Sequence, residues 1–331
     1  MNGSEKHIAL IDLHLHLDGS LSLASVRELA RMQGIGVPAE DGELLKLLQV
    51  GPECKDLNEY LEKFDFPCSL LQTREAITLA VRNLTQELAA QGLLYAEIRF
   101  APQFHTLQGL TQYEVVEAAT AGLDGGVRAN LILCCMRGEG NREKNIETVE
   151  VASAFLGRGV CAVDLAGAEA LFPTEHFGEL FRLAAEKGVP YTIHAGEACG
   201  PDSVYTALSF GARRIGHGVR SMEDGALVAR LAAEGVPLEL CPTSNLNTSI
   251  FSAIGEYPLR ELMAAGVKVT INTDNMMVSG VTLASEMELM TRTFGLTAAE
   301  RRTLAMNAAE ASFADPAVKD WLVLEIEKRF A

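Results

Sequence analysis

Positive charge is scarce in this chain: 28 Lys and Arg stand against 44 Asp and Glu over 331 residues, a formal net charge of −16. Nucleic acids and anionic membrane surfaces select basic patches, so neither is an expected partner, whereas a neutral or cationic small molecule is compatible. Cysteine is sparse too. Its seven residues are scattered, with no C-x-x-C, and Cys134 and Cys135 sit side by side in an apolar run. That pattern excludes a disulfide framework and fits a reducing, cytoplasmic setting. No apolar run reaches the roughly 18 residues of a membrane span. The opening MNGSEKHIAL lacks the charged segment and long apolar stretch of an export signal. Linkers rich in Pro, Gly or Ser are missing as well, so residues 1–331 are expected to form a single domain. With 48% hydrophobic residues, a chain of this length can bury a core large enough to fold without a disulfide or a metal.

What is present is an alternation. Short apolar runs of strand type lie at 8–14, 94–101, 129–136, 161–165, 190–194, 214–217, 237–241 and 267–273. Between them are segments such as LTQELAAQG, FGELFRLAAEKG and GALVARLAAEG, with apolar residues at three- and four-residue spacing. Gly92, Gly159, Gly188, Gly235 and Gly266 mark recurrent helix-to-strand joins. Eight strands with intervening helices predict an α/β fold, a (β/α)8 TIM-type barrel. The rhythm breaks over 34–73, where only helical fragments are seen; this predicts a helical insertion after the first strand, covering one end of the barrel. Extra C-terminal helices are predicted near 283–294, 298–309 and 317–330.

In such a barrel the chemistry sits at the C-terminal ends of the strands, and here those ends are rich in ionisable groups: LHLHLD, VDLAGAE, TIHAGE, IGHGV and INTDN. Residues i and i+2 of a strand share a face, so His14 and His16 point together into the barrel mouth. An isolated H-x-H is more often two rings satisfied by carbonyl groups. Two further candidates at other strand ends, the His194 nitrogen and the Asp274 carboxylate, reverse those odds. Three His and one Asp suit Zn²⁺ with room for a water. The fourth strand ends Asp164-Leu165-Ala166-Gly167 without a lysine to bridge two ions, which favours one metal per chain. Zn²⁺ lowers the pKa of a water from roughly 15.7 to about 7, making hydrolysis the leading reaction class. His217, between two glycines, can take or orient the water's proton. Glu197 is placed to act as an acid, although a carboxylate near a helix N-terminus explains it structurally. Gly167 permits close backbone approach of a substrate, and a tight turn explains it equally well.

HLHLDGS, YAEIRFAPQFH, VDLAGAE, HAGE, GHGV and NTDN together resemble, in order, the motifs of the adenosine deaminase family of metal-dependent amidohydrolases. The resemblance spans residues 12–275. It implies one Zn²⁺ and hydrolytic removal of the 6-amino group of adenosine or 2′-deoxyadenosine. By the same resemblance, His14, His16, His194 and Asp274 match the zinc ligands, and Glu197 matches the acid that protonates purine N1. His217 matches the residue that takes the water's proton or positions the hydroxide. Gly167 matches the backbone donor to N3, and Asp18 the acceptor of a ribose hydroxyl. His16 also borders the substrate, and Asp274 serves a second time by orienting the nucleophile.

Asn275 is a departure. Many members have a second aspartate there, in contact with N7, and an amide can donate without a titrating proton. Relatives acting on adenine or aminofutalosine tend to carry Glu at the position of Asp18, and a nucleotide-acting relative Asn. The alternatives are a deaminase of another amino-purine or amino-pterin, or a non-catalytic binding barrel. The latter needs neither Glu197 nor His217 beside a complete ligand set.

Overall fold

The computed structural model describes residues 8–51 and 53–331; the reading of the N-terminus as lacking an export signal falls mainly on 1–7, outside the described residues. Among the described residues there are eight parallel strands: β1 Leu10–His16, β2 Leu93–Phe100, β3 Arg128–Met136, β4 Val160–Ala166, β5 Thr192–Ala195, β6 Arg214–His217, β7 Leu238–Leu240 and β8 Val269–Ile271. Continuous ladders run β1-β2-β3-β4 and β5-β6-β7-β8. Isolated parallel bridges span both seams, Leu15 with Asp274 and Val163 with Tyr191. The result is the expected (β/α)8 architecture, with its helices on the outside.

Strand alternation divides the residues between two environments. Leu15, Ile98, Leu165, Ile193, Ile215, Leu240 and Ile271 join the apolar layer under the helices. Their neighbours Glu97, Arg99, Asp164, Thr192 and Glu239 are equally buried but polar; the last four bond to one another inside the barrel, and Arg214 links Glu97 to Glu239. All five helix-to-strand glycines take positive φ. At Gly235 (φ 66°), the N–H donates to the last carbonyls of the helix Gly225–Glu234, closing it with a left-handed cap.

The break in rhythm is a helical insertion. Helices Asp41–Leu48, Leu57–Leu61 and Asp65–Leu70 lie across the C-terminal end of the barrel. Tyr60 Oη is tied to Ser279 Oγ at 2.7 Å. Gln72 Nε2 donates to the Phe104 carbonyl at 2.9 Å. The C-terminal helices Leu283–Phe294, Ala298–Ala311 and Pro316–Phe330 are also present. Ala305, Ala308, Leu322 and Ile326 pack on Ile11 and Leu13 of β1. No helix among the described residues is long and apolar enough to cross a membrane.

Candidate active site

The β1 histidines lie on one face, and the chain end of β8 comes to meet them. His16 N–H donates to the Asp274 carbonyl and Asp274 N–H to the His14 carbonyl, both at 2.7 Å. Asp274 Oδ1 then stands 3.4 Å from His14 Nε2 and 3.3 Å from His16 Nε2. Ser244 Oγ donates to the other oxygen of Asp274 at 2.6 Å. Asp274 and His217 hold φ values of 60° and 58°. Residues other than glycine are uncommon in that region, although Asp and His tolerate it better than most, and such conformations gather at functional sites.

Two carboxylates lie behind the rings. Glu239 Oε2 is 2.8 Å from His14 Nδ1, and Asp164 Oδ2 is 2.8 Å from His194 Nδ1. Arg99 joins them, reaching Asp164 at 3.0 Å and Glu239 at 2.9 Å. Burial would raise both acids. Arg99 with His194 at Asp164, and Arg99 with Arg214 at Glu239, overcome it and hold each carboxyl well below its usual range. An ionised carboxylate on Nδ1 fixes the proton there and turns the Nε2 lone pair toward the cavity. His14 Nε2 is buried and makes no hydrogen bond. The donor set therefore fits a cation.

His217 has the opposite arrangement. Tyr257 Oη donates to Asn245 Oδ1 at 3.1 Å, which orients the amide so that Asn245 Nδ2 donates to His217 Nδ1, also at 3.1 Å. Nδ1 is then the acceptor, and Nε2 carries the proton in the neutral ring. The side-chain donor atoms of His14, His194, His217 and Asp274 all lie within 4.8 Å of one another. His217 is thus near enough to bind an ion, but its available nitrogen is an N–H. His16 stands at the edge of this group, with its side chain 12% exposed.

Glu197 Oε2 is 3.7 Å from His217 Nε2. Burial, then the negative charges of Asp274 and Glu169, push Glu197 well above the usual carboxylic range. Glu169 itself holds the Glu197 loop. It accepts N–H bonds from Gly196, Glu197, Ala198 and Cys199 at 2.8, 3.1, 2.7 and 2.9 Å.

A cavity of about 630 Å³ collects these groups. His16, Asp18, Gly167, His194, Glu197, His217, Asp274 and Asn275 line it, with His14 immediately behind. Gly167 has φ 103°, so a turn that only glycine adopts readily also brings its backbone to the cavity wall. Asn275 is 3% exposed and its Oδ1 is unpartnered. A Cβ on Gly19 would come within 1.9 Å of that oxygen, so the glycine of HLDGS makes room for it.

Sequence reasoning missed Arg99, Glu239, Asn245, Ser244 and Glu169. A signal existed for Arg99: Glu97 and Arg99 alternate inside the apolar run YAEIRF, where two charges on one face of a buried strand require partners.

Parallel (β/α)8 geometry with a buried His/Asp group able to hold a metal at the strand ends is the arrangement expected of a metal-dependent amidohydrolase. Comparison narrows it. The sequence model of the family described as "Adenosine deaminase" matches residues 9–329, and the chain belongs to that family. It is 47% identical to an adenosine deaminase of Haemophilus ducreyi over 331 residues, covering 97% of this chain and 96% of that one. Among solved structures, an adenine deaminase from Arthrobacter aurescens superposes with a TM-score of 0.87 at 32% identity, covering 97% of this chain and 98% of that one. A Burkholderia ambifaria amidohydrolase solved with bound Zn shares the fold, with a TM-score of 0.87 at 22% identity, covering 100% of this chain and 93% of that one.

Proposed function

We propose that this enzyme hydrolyses adenosine and 2′-deoxyadenosine to inosine and 2′-deoxyinosine with release of ammonia, using one Zn²⁺ per chain in the cytoplasm. The observation that carries this reading is a buried carboxylic acid, Glu197, facing a histidine N–H and the metal-binding group across one cavity. His14, His16, His194 and Asp274 are the proposed ligands. Carboxylates behind His14 and His194 leave their Nε2 atoms as donors. Zn²⁺ held there supplies Lewis-acid activation of water at neutral pH.

The chain's own groups perform the remaining work. Adding water to C6 breaks ring aromaticity, and a proton delivered to N1 keeps negative charge from accumulating on the purine. Glu197 delivers it: burial, with the charges of Asp274 and Glu169 beside it, raises its pKa and favours the protonated form. His217, with Nε2 protonated, donates to the attacking oxygen and orients it. Positioning is therefore preferred over proton abstraction for this residue; of the water's two protons, one restores the proton that Glu197 gives to N1 and the other leaves on the amino group as ammonia. Asp274, within the same cluster, orients the same oxygen. Gly167 N–H serves N3, the Asn275 amide serves N7, and Asp18 accepts from a sugar hydroxyl.

A second reading, an adenine deaminase, is favoured by the 32% identical structural relative. Against it, Asp18 keeps an unpartnered oxygen that a free base would leave unused. The deciding experiment is ammonia release from adenosine, 2′-deoxyadenosine, adenine, AMP, guanine and aminofutalosine, with metal content measured on the same preparation. The two adenosines should dominate, with roughly one zinc per chain. A preference for adenine, or full activity in metal-free protein, overturns the proposal.

A further inference from the structure

We propose that Cys68 determines specificity for the sugar: its thiol occupies one oxygen of Asp18 and leaves the other as the single acceptor offered to a sugar hydroxyl. This rests on the reading that Asp18 meets the sugar. Cys68 belongs to the insertion, in the helix Asp65–Leu70, and lines the same cavity as Asp18. Its Sγ donates to Asp18 Oδ2 at 3.4 Å. Asp18 is only 6% exposed, yet its Oδ1 makes no hydrogen bond. A buried carboxylate oxygen without a donor is an unmet acceptor, and a ligand hydroxyl is the group that satisfies it. A phosphate at this point would set acceptor against acceptor. Burial, with Asp18 beside it, pushes the Cys68 thiol well above its ordinary value, so the sulfur keeps its proton and remains a donor.

The thiol is placed from both sides. Gln72 Nε2 donates to the Cys68 carbonyl at 2.8 Å and to the Phe104 carbonyl at 2.9 Å, anchoring the helix to the loop after β2. Cys68 therefore acts through Asp18 as a positioning residue. Without it, the carboxylate loses its side-chain donor, and its free oxygen is less firmly aimed.

The test uses the zinc-loaded enzyme with adenosine and its 2′-, 3′- and 5′-deoxy analogues. Wild type, Cys68→Ala, Cys68→Ser, Asp18→Asn and the Cys68→Ala/Asp18→Asn double variant are compared. Cys68→Ala should raise KM for adenosine about 3- to 10-fold, the scale of one modest hydrogen bond, with kcat within about 2-fold. The analogue lacking the hydroxyl held by Asp18 should show no such rise. Cys68→Ser should restore the wild-type pattern, and Cys68→Ala should add nothing in the Asp18→Asn background. Should Cys68→Ala melt early or lose metal, Cys68→Val deletes the same donor. Unchanged KM values, or an equal rise for all four nucleosides, overturn the role of Cys68 while leaving Asp18 in place. If Asp18→Asn alone leaves discrimination among the four unaltered, the reading of Asp18 fails, and this proposal fails with it.

Discussion

Glu197 is an acid weakened by its burial and by two charged neighbours, against a smaller opposing effect of Arg137. Burial removes the water that would stabilise its charge, and Asp274 and Glu169 add repulsion; all three raise its pKa. Glu169 has a second effect, since it gathers four consecutive backbone N–H groups of the loop and holds the Glu197 backbone in place. Replacing Glu197 by Gln keeps shape and hydrogen bonding but removes the transferable proton. Turnover should fall by ~10²–10⁴-fold while nucleoside binding, measured by calorimetry or fluorescence competition, stays within a few-fold. Turnover within 10-fold of wild type would remove Glu197 from proton transfer. Because an acid works only while protonated, kcat/KM should also decline on the alkaline side as Glu197 ionises.

Among the elements, strand length is where sequence and structure part. The long runs were legible: the expected 94–101 and 129–136 became Leu93–Phe100 and Arg128–Met136, and 283–294 is the observed helix Leu283–Phe294. The later strands are shorter than their apolar runs, with 237–241 reduced to Leu238–Leu240 and 267–273 to Val269–Ile271. Apolar character persists there because the flanking residues stay buried after the ladder ends. The histidines and Asp274 were legible because they fall at strand ends, which topology makes functional. Their supports were not: Arg99 and Glu239 pair across 140 positions, and no local period encodes such a distance. β6 shows how tightly these ends are built. Gly218 has φ 69°, and an added Cβ would lie 2.6 Å from Leu238 Cδ2 on β7. Gly218→Ala should therefore cost at least about 1 kcal/mol in denaturant unfolding, from the left-handed backbone alone. It should also lower kcat by displacing His217; unchanged stability would show that β6 and β7 separate easily. A second tie joins the helix Leu283–Phe294 to the short helix Pro242–Asn247 after β7, where Glu286 accepts from Thr243 N–H at 3.0 Å and from Thr243 Oγ1. Burial pushes Glu286 from 4.5 up to about 7. An acid raised on folding holds its proton longer in the native state, so its contribution to stability is complete below about pH 4.5 and is lost as pH rises through 7. The difference is of order 3 kcal/mol, at about 1.4 per unit. Glu286→Gln should narrow the gap in Tm between pH 5 and pH 8, and an unaltered gap would exclude Glu286 as its source.

At the scale of the molecule, the barrel consists of two four-stranded ladders joined at two seams, and the site lies on one of them. The β8–β1 seam is held by the paired hydrogen bonds between Asp274 and the two β1 histidines. The other seam has Val163 N–H donating to the Pro190 carbonyl at 3.0 Å, and the Asp164–His194 pair crosses it at 2.8 Å. An ion gripped by His14, His16, His194 and Asp274 would tie β1, β5 and the end of β8 together, linking both ladders across the first seam. Binding to the folded state alone stabilises it by RT ln(1 + [L]/Kd), about 4 kcal/mol at a thousandfold excess over Kd. Chelation should therefore lower Tm by several degrees, and stoichiometric zinc should restore it. The apolar layer is large enough to fold without the ion, so the metal-free protein should still melt cooperatively. The loss should also be local. Amide exchange at His16 and Asp274 should accelerate more than at Val163, because the ion would bridge the first seam directly while the second keeps its Asp164–His194 pair without it. A uniform increase at both seams would mean that the ion stabilises the barrel as a whole, and an unchanged Tm would mean that the four side chains hold no ion in the folded enzyme.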